Sequence, residues 1–170
     1  MADRLHSDSA LVQFSERLTN SAAFGTLFRE GMDLVEETAA YLDGDGRAEA
    51  KALERSVSLT YATESMRLTT RLMQLASWLL LHRAVKEGEM TLSQANREKT
   101  KVKLSAAEPG PDDMITRLPE QLQDLIARSM SLQSRVRRLD VTIHSPSADR
   151  APIGNPLVPQ LNRLKAAFEQ

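Results

Sequence analysis

The feature that most constrains this chain is a run from Ala48 to Glu87 that holds neither Pro nor Gly. Leu53, Val57, Leu59, Tyr61, Ala62, Met66, Leu68, Leu72, Met73, Leu75, Ala76, Trp78 and Val85 recur through it at helical spacing. As one helix the run is about 60 Å long, roughly twice the width of a small domain. Its apolar positions fall on more than one face, and Trp78-Leu79-Leu80-Leu81 is apolar all round, so the helix has to be covered from several directions. An elongated bundle within one chain would do this, and so would a bundle with a subunit interface. The excess length favours a homodimer, with Met66, Met73, Trp78 and Leu80 as its candidate interface.

The flanking segments read as shorter helices. Phe24, Leu27, Phe28, Met32, Leu34, Val35, Ala39 and Leu42 predict a helix over 21–42, with Ser21 as N-cap and Asp43-Gly44-Asp45-Gly46 as the turn that ends it. Gly88 breaks the long helix, and Thr91 followed by Gln94 is a capping box for a short helix over 91–104. SAAEPGPDD is a linker. Leu118, Leu122, Leu125, Ser129, Leu132, Val136 and Leu139 then alternate spacings of four and three, the seam of a bundle helix over 119–141. The expected architecture is all-α: an antiparallel three-helix bundle over 21–143 with a long central helix, a short extra helix, a flexible 1–20 and a disordered tail over 144–170.

Composition narrows the function. Residues 1–60 carry eleven acids and six bases (net −5), residues 61–104 four and eight (net +4), and the remainder eight of each. Such a balance suits complementarity within a bundle or between subunits, and is too sparse for a nucleic-acid footprint. With no cysteine there is no disulfide framework, thiolate zinc site or Cys nucleophile. No apolar run approaches the roughly 18 residues that a membrane span needs, so a cytoplasmic protein without membrane insertion is expected.

After His144, SPSADRAPIGNPLVP reads as an extended tether. Beyond it Leu157, Leu161, Leu164 and Phe168 lie at helical spacing and are the candidate protein-binding residues. This short amphipathic helix docks either on its own bundle or, as a helix in a groove, on a partner.

Motifs for chemistry are weak. Asp43, Asp45 and Glu54 hold the first, third and twelfth places of a calcium loop, but Arg47 and Ala48 stand where an oxygen ligand and Gly belong. His6, His82 and His144 form no metal-binding pair, and no Gly-rich phosphate loop exists. His82, with Lys86 four residues on, resembles the acceptor of a histidine phosphotransfer bundle at the wrong spacing, and a structural His is the competing reading. Arg135, Arg137 and Arg138 read as a solvated face, and Glu64, Arg67 and Arg71 as local helix pairs. No catalytic residue, cofactor or metal is expected.

The stretch SMRLTTRLMQLASWLLLHRAVKEGEMTLSQANREK, Ser65 to Lys99, is more specific than any of these patterns. It resembles the signature of the RcdA family, the regulators of CtrA degradation of alphaproteobacteria, and the similarity extends more weakly over Ser21 to Ile143. The resemblance implies a homodimeric three-helix bundle without catalysis, an adaptor for the protease ClpXP in the cell cycle. Its implied partners are the response regulator CpdR at the cell pole, cell-cycle substrates of the CtrA type and further adaptors. Read without the resemblance, the alternative is a phosphotransfer or signalling bundle that uses His82.

Overall fold

The computed structural model describes residues 22–99 and 110–144. Among the described residues six helices follow one another: α1 (Ala22–Asp43), α2 (Asp45–Ala52), α3 (Arg55–Lys86), α4 (Leu92–Lys99), α5 (Asp112–Ile115) and α6 (Glu120–His144). The described residues contain no strand. The cap at Ser21, the N-terminal 1–20 and the tail beyond His144 lie outside the described residues.

Helix α1 buries Phe24, Leu27, Gly31, Leu34, Thr38 and Tyr41, alternating three and four residues apart as its pattern predicts. Helix α6 buries the anticipated Leu122, Leu125, Ser129, Leu132 and Val136, each fully enclosed. Helix α3 fills the space between them with Leu68, Leu72, Leu75, Trp78 and Leu79. These side chains form one continuous core.

The expected 48–87 helix is two helices. Leu53 (φ −74°, ψ 146°) and Glu54 (φ −58°, ψ 147°) are extended between α2 and α3, which shortens the central helix to 32 residues, about 48 Å. No Pro or Gly stands at this break. Helix α2 folds across the end of the α1/α3 pair, and Gly46 lies so close to two tyrosines that a Cβ there would stand 2.7 Å from Tyr61 Oη and 2.8 Å from the Tyr41 ring. Tyr41 Oη donates to Glu49 Oε2 at 2.7 Å, tying α2 to α1.

The punctuation after α3 follows the sequence. Gly88 takes φ +74°, and the Glu89 N–H closes onto Ala84 O at 3.0 Å in a Schellman-type stop. The capping box also forms: Gln94 N–H donates to Thr91 Oγ1 (3.2 Å) and Thr91 N–H to Gln94 Oε1 (2.9 Å). The single-turn α5 occupies part of the expected linker.

Helix direction departs from simple antiparallel succession. Arg135 and Arg128 of α6 bind Glu30 and Glu37 of α1, so those two helices are antiparallel. Along α3, Glu54, Arg71 and Trp78 meet Arg117, Ser129 and Asp140 in the same order, so α3 and α6 run parallel. The two ends of the 87–119 connection therefore lie at opposite ends of the bundle. Gly110, at the start of the second described stretch, donates its N–H to Glu64 Oε1 in the N-terminal third of α3 (3.0 Å).

Candidate protein-docking face

Helix α3 keeps one side out of the core. Leu59 (71% exposed), Met66 (72%), Met73 (63%) and Leu80 (52%) stand seven residues apart and form a straight apolar stripe. Ala62, Thr69 and Ala76 lie three residues after the first three of these, so large and small side chains alternate along a heptad seam that allows another helix to approach closely. Between this stripe and α1 runs an open groove of about 460 Å³. Val35, Thr38, Ala39 and Leu42 line it from α1, and Thr69, Leu72, Met73, Ala76 and Leu80 from α3.

The polar side chains on this side of α3 make few demands on a partner. Thr63, Thr69 and Ser77 turn their hydroxyls back onto the carbonyls of Leu59, Ser65 and Met73 at 3.0, 2.8 and 2.8 Å, the usual i−4 bond of a helical hydroxyl. Asp43, at the end of α1, is the charged residue of the lining, and Glu36, beside Val35, is exposed. At the end of the groove beyond Leu80, the Arg83 guanidinium lies 5.0 Å from the centre of the half-buried Phe28 ring. The arrangement can receive an amphipathic helix, and none of its residues is placed for bond-making chemistry.

Of the four residues expected at a dimer interface, Met66, Met73 and Leu80 lie on this face. Trp78 does not: it is 1% exposed, inside the subunit's own core, where its indole N–H donates to Asp140 Oδ1 at 2.7 Å. An all-apolar Trp-Leu-Leu-Leu run cannot tell inner from outer positions, which is why Trp78 was placed wrongly. Leu59 was missed, although its seven-residue distance from Met66 is visible in the sequence. Leu157, Leu161, Leu164 and Phe168 lie outside the described residues.

The expected local pair of Glu64 with Arg67 forms, and two of the three charged residues read as helix pairs, Glu64 and Arg71, are buried. Glu64 is 2% exposed and Arg71 1%. Glu64 Oε1 accepts from Arg67 and from the Gly110 N–H, pinning Gly110 to α3. Arg71 Nη1 donates to Ser129 Oγ (3.0 Å), which in turn donates to Ile126 O. Burial pulls the Arg71 pKa below its ordinary value, with Glu64 opposing the shift. Arg135, expected on a solvated face, forms a two-armed pair with Glu30 at 2.7 Å per arm. Of the supposed calcium-loop residues, Asp45 opens α2 and Glu54 pairs with Arg117 at 3.0 Å.

His82 is 2% exposed and its ring centre lies 4.0 Å from that of Trp78. A phosphoryl acceptor must be reached by the partner's phosphoryl group, and this imidazole is enclosed. The geometry corrects the phosphotransfer alternative.

Comparison with known proteins places the architecture. The family model DUF1465, described as a protein of unknown function, matches residues 15–168. A crystal structure of RcdA from Caulobacter crescentus shares 50% sequence identity with the chain, with a TM-score of 0.62 over 75% of this chain and 96% of that one. The chain belongs to the RcdA family. No curated protein matches. In this RcdA-family chain, no helix among the described residues is long and apolar enough to cross a membrane, and none of their His, Asp and Glu side chains cluster in threes that would hold a metal ion.

Proposed function

We propose that this chain is a non-catalytic adaptor in regulated proteolysis, which helps deliver cell-cycle regulators of the CtrA type to ClpXP together with CpdR, in the cytoplasm and at the cell pole. The observation that carries the reading is the 50% identity to RcdA across 96% of that protein's chain. The exposed Leu59, Met66, Met73 and Leu80 support a binding protein, since four large apolar side chains aligned on one helix form the kind of patch that marks an interaction surface. An adaptor acts by raising effective concentration, and weak contacts suffice once cargo and protease are held on one body.

Self-association uses the same face in this reading. The midpoint between Leu59 and Leu80 falls at Thr69 and Thr70, so a two-fold axis there brings α3 against its twin with small residues at the crossing and Met66 and Met73 on either side. The test is a reconstituted degradation assay with ClpXP, CpdR and a CtrA-type substrate. Adding the chain should accelerate substrate loss several-fold; an unchanged rate at saturating adaptor and CpdR overturns the reading.

A further inference from the structure

We propose that the segment Leu157–Phe168 of this same chain docks into the α1/α3 groove, so that the free subunit covers its own self-association face. This rests on the docking-face reading above and adds the regulation of that face. The first argument is one of length. The groove's α3 wall extends from Thr69 to Leu80, eleven residues and about 16 Å of helix. The stripe from Leu157 to Phe168 covers the same eleven, so its four apolar side chains span the wall from end to end.

Reach is the second argument. Helix α6 ends at His144, and the twelve residues 145–156 supply roughly 40 Å of extended chain. That distance comfortably rounds a bundle whose helices are each about 10–12 Å across. Leaving α6 at the Trp78 end of α3 and entering the groove from its Leu80 end, the segment lies antiparallel to α3. Chemistry is the third argument. Leu161, Leu164 and Phe168 match a lining of Val35, Leu42, Leu72 and Ala76, while Arg163 and Lys165, against the lone Glu169, meet Asp43 of the lining and the exposed Glu36. Tethering makes a weak contact sufficient, because the segment is always close to its groove. A second copy, or cargo, gains the face by displacing it.

The absence of cysteine makes the test clean. Full-length protein carrying Ala39→Cys in the groove and Ala167→Cys in the segment is treated with a short bismaleimide, as an equal mixture of isotopically light and heavy chains. Cross-links within one isotope form are expected, with a yield that falls at least tenfold on adding Leu161→Asp and Leu164→Asp. Mixed-isotope cross-links would assign the groove to another copy's segment, and a yield indifferent to the two Asp substitutions would mean no docking; either overturns the proposal. Sedimentation equilibrium of L161D/L164D should show self-association several-fold tighter than in the unsubstituted chain, and an unchanged constant also overturns it. Should both proteins stay monomeric at every concentration while the within-chain cross-link forms and depends on Leu161 and Leu164, docking stands and the homodimer reading falls.

Discussion

The indole N–H of Trp78 donates to Asp140 Oδ1 over 2.7 Å, and the other carboxylate oxygen of Asp140 receives Lys99 Nζ at 2.6 Å. One side chain of α6 thus holds both the Trp78 end of the core and the end of α4. Asp140→Ala should cost about 1.5–3 kcal/mol, the scale of a hydrogen bond to a charged group. Lys99→Met removes only a partly exposed ion pair and should cost about 0–1 kcal/mol. Thermal unfolding followed by Trp78 fluorescence separates them; equal losses would show that the indole bond contributes nothing beyond the ion pair.

Two glycines should respond in opposite senses to the same substitution. Gly46→Ala forces a Cβ against the Tyr41 ring and Tyr61 hydroxyl, and should destabilise by about 1–3 kcal/mol, as overpacking does. Gly25→Ala meets nothing within 4 Å in a helix, and should stabilise by about 0.5–1 kcal/mol. Urea titration measures both, and a neutral Gly46→Ala would dismiss the tight α2 packing.

If the proposed self-association uses the α3 stripe, Met66→Glu with Met73→Glu should raise its dissociation constant at least tenfold. Because the two side chains are 72% and 63% exposed, the melting temperature of the isolated subunit should stay within a degree or two, in line with surface substitutions generally. Sedimentation equilibrium and calorimetry on the same samples check this, and an unaltered dissociation constant would move the interface elsewhere.

Acid should weaken the seam between α1 and α6. The Arg135 guanidinium holds the Glu30 carboxyl below its ordinary value, and Arg128 does the same for Glu37. A carboxyl whose pKa is depressed by folding contributes stability that is present above its unfolded-state pKa, and loses it as the pH falls through the folded-state value. The melting temperature should therefore hold above about pH 5 and decline towards pH 3. Both pairs are largely exposed, so each contributes no more than about 1 kcal/mol, screened by salt. Replacing Glu30 and Glu37 by Gln should flatten the decline; an identical profile would show the pairs to be without thermodynamic effect.

What the sequence revealed was mostly local. The α6 seam, the Thr91–Gln94 box and the stop at Gly88 each depend on residues within a few positions of one another, and each formed. The break at Leu53–Glu54 was hidden because no Pro or Gly marks it and both residues fit the apolar and polar pattern of one continuous helix. Equally hidden was the burial of Glu64 and Arg71, since charged residues are placed outside unless their partners are known, and those partners, Gly110 and Ser129, lie 46 and 58 positions away. The exposed face was half legible: the heptad from Leu59 to Leu80 is written in the chain, but only packing shows that Trp78 is on the other side of the same helix.

The rings of Phe24, in the first turn of α1, and Trp78 have centres 6.4 Å apart, and Asp140, in the last turns of α6, binds the same Trp78. Because α1 and α6 are antiparallel, the first and last described turns meet at one end of the bundle. Ala22 and His144 therefore lie at that end, while α2 and the α5 turn close the opposite one. The molecule is thus polarised along its length. Joining the two ends with a short linker and opening the chain at the exposed Glu87–Glu89 turn would give a circular permutant with the same core.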